Sequence, residues 1–373
     1  MKLNVIDYFI SLVKIDSESK NEKAVAEQLA KDLQELGAEI KFDNANEKTG
    51  GNVGNLYGYF PGNIDKTPIL FCAHMDTVVP GIGVKPQIKE DRIVSDGTTV
   101  LGADDKSGIA EIICGINEIL SEGKDHAPIE VLFTISEEIG LLGAKRLDYS
   151  MIKSKIGYAL DSHAVGELTI GAPSQNNLKI TIHGKKSHAG AAPEEGVNAI
   201  QIAAKAIAKM PMGRIDEETT CNIGIINGGN ATNIVPDCVK IQGEARSHNP
   251  EKLQKVTDQM VAAINDTVKD FKLGDFQATA DINVETEYHA FLLSEDDPVV
   301  KLSNAACQNI GITPKTNVGG GGSDVNIFNK NGLKMAICGS GMENVHTVDE
   351  FIKLDSLTTG TAWVKAIIEE YSK

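Results

Sequence analysis

The sequence predicts an α/β protein with a mostly parallel main sheet, into which a small ferredoxin-like α+β module is inserted. Short apolar runs alternate with helical periods through the first half of the chain, and strands separated by helices imply a layered architecture with a parallel sheet. From about Gln175 the order changes to β-α-β-β-α-β, that of a ferredoxin-like unit. The length, 373 residues, exceeds the usual size of one hydrophobic core and favours two domains.

Near the start, Ile6, Phe9, Ile10 and Val13 recur at helical spacing, and Asp7 and Lys14 interrupt the apolar run. This reads as an amphipathic helix rather than a signal peptide. A second helix is predicted over 22–36, stopped by Gly37. Then come the strands NLYGYF and PILFCAH, a helix from Asp105 through Ile119, and the strands IEVLFTIS and IGYALD. The inserted module, 175–286, reads as strand NLKITIHG, helix 197–208, strands CNIGIIN and VKIQGEARS, helix 251–268 and strand ATADINVET. Helices over 298–308 and 354–370, with a glycine run at 319–322 between them, return the chain to the first domain, which comprises 1–174 and 287–373.

Composition excludes several classes. Hydrophobic residues at 41% and charged residues at 24% are those of a globular protein. Acidic residues outnumber basic ones by 52 to 36, and no Lys/Arg-rich run offers a phosphate-binding stripe, so no nucleic-acid partner is expected. No run approaches the roughly 18 apolar residues that span a bilayer. Cys72, Cys114, Cys221, Cys238, Cys307 and Cys338 are far apart with no C-x-x-C pair, which reads as reduced core thiols in a cytoplasmic protein.

The chemistry gathers at strand ends. PILFCAH closes on His74-Met75-Asp76, and positions i and i+2 of a strand share a face. Alone, this is a surface His/Asp pair. GADDKSG places Asp104 and Asp105 at the mouth of a helix, where an isolated pair reads as a cap. IEVLFTIS runs into Glu137-Glu138, like charges that repel unless a cation neutralises them. IGYALD ends on Asp161. Four successive ends bearing His, Asp, Glu-Glu and Asp strain any account by coincidence. Oxygen and imidazole donors without cysteine suit zinc, manganese or cobalt at a hydrolytic centre.

HMDTV (74–78), DGTTVLGADDKSGIA (96–110), SEEIGLLGA (136–144), ALDS (159–162), SHAGAAPEEGVNAI (187–200), NATNIVPD (230–237), GEARS (243–247) and GGGGSD (319–324) resemble the zinc exopeptidase family of peptidase T, aminoacylase and succinyl-diaminopimelate desuccinylase. The resemblance covers nearly the whole chain in order, and the DGTTVLGADDKSG form is closest to peptidase T. It implies a sheet with helices on both faces and an inserted dimerisation, or lid, domain at 175–286 that makes a homodimer. It implies two zinc ions per subunit, with cobalt or manganese as possible substitutes. His74 and Asp161 would hold one, Glu138 and His346 the other, and Asp104 would bridge them across a cis Asp104–Asp105 peptide. Asp76 would orient His74, and Glu137 would be the general base on a metal-bound water. His346, in ENVHTVDE, has no local signal of its own.

The same resemblance makes His188 a residue that reaches the partner subunit's active site. Arg246 is a fork donor suited to a substrate carboxylate; Asn233 suits either a substrate contact or a turn. The glycine run with Ser323 and Asp324 offers backbone N–H groups to a substrate, but lacks the Lys-Ser/Thr of a phosphate loop. The activity implied is a two-metal aminopeptidase acting on short peptides, tripeptides among them. A dimetal hydrolase of N-acyl or N-succinyl amino acids is the alternative, since GSGMENVHTVDEFI lacks the aromatic-rich stretch expected before the last histidine of peptidase T. A catalytically silent peptide-binding relative would lack a ligand or the base, and neither is missing.

Overall fold

The structure, a computed structural model, describes residues 3–373; Met1 and Lys2, at the start of the expected first domain, lie outside the described residues. The chain forms two compact units. One comprises the residues before Ala172 together with Leu292–Gly319 and Ser323–Lys373, and the other comprises Ala172–Phe291 with Gly320–Gly322.

In the first unit, Ile69–His74 lies between Ile129–Thr134 and Ile156–Ser162, and Lys334–Gly339 follows Ile156–Ser162; all of these neighbours are parallel. Antiparallel strands flank this centre: Leu56–Phe60 and Glu39–Phe42 on one side, and Glu167–Ala172 on the other. Every residue of Ile69–His74 and Ile129–Thr134 is buried. A strand covered on both faces has no reason to alternate, which is why both read as unbroken apolar runs. The one charge within them, Glu130, accepts from the Tyr57 hydroxyl (2.8 Å) and from the backbone N–H groups of Lys153 and Ser154 (both 2.9 Å).

The helix Ala103–Ser121 packs on Ile69–His74 and Ile156–Ser162 and against the last helix, Leu354–Tyr371. Close approach there depends on Gly115, where a Cβ would lie 2.8 Å from a Val364 methyl. Helical geometry begins only after Asp105, because Asp104 (ψ 101°) and Asp105 (ψ 32°) are not helical. Lys334–Gly339 lies within the sheet, although no strand is predicted there. Its apolar core MAIC is only four residues long, too short to tell from a loop between Gly332 and Gly339. Nor does the sequence announce the four-stranded sheet of Gln87–Lys89, Arg92–Val94, Phe351–Lys353 and Met342–Glu343, whose strands have two or three residues each and whose central pair, Arg92–Val94 with Phe351–Lys353, joins distant parts of the chain.

The second unit follows the predicted order closely. Thr219–Gly228, Cys238–Ser247, Ser174–His183 and Thr279–Tyr288 form neighbouring antiparallel strands, with Gly213–Arg214 at one edge. Leu178, Ile180, Ile182, Val239 and Ile241 pack against Ile202 of the helix Ala199–Ile207 and Val256, Met260 and Ile264 of Pro250–Lys269. Each helix starts where an asparagine can cap it. Asn198 accepts from the Gln201 N–H, and Asn249 accepts from those of Glu251 and Lys252, a contribution of about 1 kcal/mol each. Among the described residues no helix is long and apolar enough to cross a membrane.

Candidate metal centre

Parallel neighbours end at the same edge of a sheet, so the residues after Ile69–His74, Ile129–Thr134 and Ile156–Ser162 emerge side by side. His74 pairs with Thr134, Glu137 and Glu138 follow three and four residues later, and Asp161 is the penultimate residue of its strand. Asp104 enters from the helix mouth after Gly102 (φ +78°), and its peptide bond to Asp105 is cis. His346 comes from an exposed loop in which both it and Asn344 have positive φ.

The side chains converge on Asp104. Its Oδ1 lies 2.9 Å from His74 Nε2 and its Oδ2 lies 3.2 Å from His346 Nε2. His346 Nε2 is also 3.0 Å from Glu138 Oε2, and His74 Nε2 is 3.9 Å from Asp161 Oδ1. Among the described residues two donor groups, both of which include His74, are compact enough to hold an ion: His74, Asp104 and Glu138, and His74, Asp105 and Asp161.

The electrostatics call for a cation. Burial pushes the carboxyls of Glu137, Glu138 and Asp161 up from their ordinary range, and neighbouring carboxylates add to it. Burial also opposes charge on Asp104, but the hydrogen bonds from His346 and His74 more than offset it and hold Asp104 low. Hydrogen bonds to Asp104 and Glu138 raise the His346 imidazole to about 10. Glu138 Oε1 and Asp105 Oδ1 are buried with no partner, and a buried unpaired carboxylate oxygen is costly. Hard oxygen and imidazole donors facing one another, two oxygens unsatisfied, fit a pair of divalent ions.

His74 Nδ1 lies 2.9 Å from the Asp76 main-chain carbonyl and 3.5 Å from its carboxylate, so Asp76 faces the ring it is expected to orient. The carboxylate also accepts from the N–H groups of Glu137 (2.9 Å) and Glu138 (3.2 Å) and from the Ser19 hydroxyl (2.7 Å). It therefore clamps the turn that carries the glutamate pair. The physical reason is placement: that turn lies opposite the end of the parallel neighbour, with two N–H groups in need of acceptors.

Other residues support the site: Glu22 and Glu350 carry no predicted part, Asp105 only that of a helix cap, and Ser323 and Asp324 only that of neighbours of the glycine run. Asp105 Oδ2 accepts from the His74 N–H at 3.2 Å; its signal was the second letter of the Asp-Asp pair. Glu22 accepts from the Ser136 N–H (3.0 Å) and hydroxyl (3.1 Å) and so holds the same turn. Asp324, pushed up to about 6 by burial, has one orphaned oxygen, and Ser323 before it caps the helix Asp324–Lys330. Glu350, 1% exposed, accepts from three backbone N–H groups around Asp104.

His188, Asn233 and Arg246 belong to the second unit. His188 is exposed, pairs with Ile234 in a two-residue ladder, and accepts at Nδ1 from the N–H groups of Gly190 (3.2 Å) and Ala191 (3.0 Å). Asn233 is beside it, its carbonyl accepting from the Ala189 N–H at 2.9 Å. Arg246 is half-buried and already engaged: its Nε and Nη2 both donate to the Glu244 carboxylate at 3.0 Å. The expected free fork is thus half used, by a residue two positions earlier on the same strand face. Gly321 faces the remaining Nη1, and a Cβ there would lie 3.9 Å from it.

Comparison with known proteins gives consistent matches. Residues 171–272 match the model of the peptidase dimerisation domain, and residues 55–201 match that of peptidase family M28. The crystal structure of aminopeptidase PepT from Bacillus cereus ATCC 10987 is 45% identical, covering 99% of this chain and 98% of that one, with a TM-score of 0.89. A tripeptidase from Staphylococcus aureus strain Mu50 is 38% identical over 100% of this chain and 99% of that one, with a TM-score of 0.93. A peptidase T from Brevibacillus brevis is 26% identical across 100% of both chains.

Proposed function

The chain belongs to the M20 peptidase family as a peptidase T-like metallopeptidase, and we propose that it removes the N-terminal residue from short unblocked peptides, tripeptides foremost. The observation that carries this reading is the convergence on Asp104, one carboxylate oxygen facing His74 and the other facing His346. In it His74 and Asp161 would hold one ion, Glu138 and His346 would hold the other, and Asp104 would contribute to both. Two zinc ions, with cobalt or manganese as substitutes, would acidify a water and polarise the scissile carbonyl. Glu137 takes the water's proton and delivers it to the departing amine. Burial that pushes its carboxyl up strengthens it as a base for that transfer. Asp76 keeps Glu137 and Glu138 in their separate parts by holding both backbone N–H groups.

The second unit supplies recognition. Its match to a dimerisation domain supports a homodimer formed through 175–286, in which His188 completes the partner subunit's site by donating to the substrate carbonyl oxygen. Arg246 receives the peptide carboxylate through Nη1, and Asn233 contacts the peptide backbone. Five of the six cysteines are buried thiols, which supports a cytoplasmic setting.

A peptide-length series assayed with and without a chelator tests the reading. Chelator-sensitive cleavage of unblocked tripeptides, with acylated amino acids left intact, is the expected result. Preferential release of acyl or succinyl groups would replace it with the amidohydrolase alternative.

A further inference from the structure

His346 poses a physical question. It is more than half exposed, on a loop with two positive-φ residues, and an exposed loop cannot by itself hold an imidazole in place. Four residues on, Glu350 is 1% exposed. Its Oε2 accepts from the N–H groups of Leu101 (2.7 Å) and Gly102 (2.8 Å), and its Oε1 accepts from that of Asp104 (2.9 Å). These donors precede the helical part of Ala103–Ser121, where backbone N–H groups have no partner within the helix. Gly102, at φ +78°, turns the chain so that all three point at one carboxylate.

The segment between His346 and Glu350 is bonded to itself. The Glu350 N–H donates to the Thr347 carbonyl (3.2 Å), the Thr347 hydroxyl donates to the Asn344 carbonyl (2.7 Å), and the Asp349 N–H donates to the Thr347 hydroxyl (3.2 Å). Beyond Glu350, Phe351–Lys353 pairs with Arg92–Val94. Asp104 is therefore reached twice from one short segment, at its N–H by Glu350 and at its carboxylate by His346. Two contacts from one stiff loop fix both distance and orientation, whereas either alone leaves a rotation free.

We propose that Glu350 is a positioning residue that ties the His346 loop to the Asp104 turn and so sets the geometry of the second metal position, a claim that rests on the two-metal reading above. Glu350 touches neither metal nor substrate; it acts through Asp104 and His346. Replacing it with glutamine keeps shape and volume, but puts an NH2 group where one carboxylate oxygen had accepted.

The test titrates the metal-stripped protein with zinc alone, against a competing chelator, and follows thermal unfolding of the same samples. Wild type takes up two equivalents. Glu350→Gln keeps one near wild-type affinity and weakens the other about 10- to 100-fold, the usual cost of losing a partner behind a ligand. Asn249→Ala, a helix-cap loss in the second unit, lowers the unfolding temperature without moving the zinc isotherm, which separates instability from positioning. Should Glu350→Gln not fold, Glu350→Asp, charged but too short to reach all three N–H groups, is held to the same criterion. Two equivalents in wild type with an unchanged isotherm in the Glu350 variant would overturn the coupling alone. Fewer than two equivalents in wild type would overturn the two-metal reading itself.

Discussion

The strand-end cluster of the first unit and the recognition candidates of the second are built to different standards of rigidity. Of the seven residues assigned to metal and proton transfer, four are buried and two half-buried, and buried hydrogen bonds hold the turns that carry them. His188 and Asn233 are exposed, and local bonds within one loop position them. Arg246 lies between these extremes, half-buried and gripped along one edge by Glu244. Groups that must stay a fixed few ångströms apart are set before any ligand arrives. Groups that receive a variable peptide keep freedom.

Three substitutions probe that contrast. The largest effect is expected from His188→Ala, which removes a donor to the developing oxyanion and should lower kcat about 10²- to 10³-fold with little change in KM. Mixing this variant with Glu137→Ala restores one intact site in half of the dimers, so about a quarter of wild-type activity should return if subunits exchange at random. No recovery after proven exchange would confine His188 to its own chain.

Asp76→Asn comes next. It removes the charge that grips the Glu137 and Glu138 N–H groups, and an expected loss of about 10- to 100-fold in metal affinity would be read by zinc titration. An unchanged isotherm would mean that the glutamate turn holds without the clamp.

The smallest effect is expected from Arg246→Lys. Glu244 already occupies one edge of the guanidinium, so the substrate sees a single edge, and one charge-assisted hydrogen bond is worth about 1.5–3 kcal/mol. kcat/KM on free-acid peptides should fall about tenfold or somewhat more, and amidated peptides should be indifferent. Equal losses on both would remove Arg246 from carboxylate recognition.

What could be read in advance follows from where each signal is local. Ile69–His74, Ile129–Thr134 and Ile156–Ser162 are legible because buried parallel strands are continuous apolar runs, and each stops abruptly at a chemical residue. The second unit is legible from its element order, since β-α-β-β-α-β follows in one unbroken stretch of sequence. Lys334–Gly339 is not legible, because its apolar core is only four residues long between Gly332 and Gly339. His346 and Glu350 carry no local pattern, because their partners are about 250 positions earlier in the chain. The family motif supplied the first, and neither spacing nor motif supplied the second. The Arg246–Glu244 pair is visible in GEARS, since i and i+2 of a strand share a face, but reading Arg246 alone as a fork donor does not show it.

Glu137 as the proton carrier and Glu138 as its metal-holding neighbour are separated by Glu137→Ala when turnover and bound metal are determined on one sample. The expected outcome is a fall in kcat of roughly 10²- to 10⁴-fold or more with two metal ions still bound per chain. A variant that arrives with half the metal, or that turns over at the wild-type rate, would contradict it.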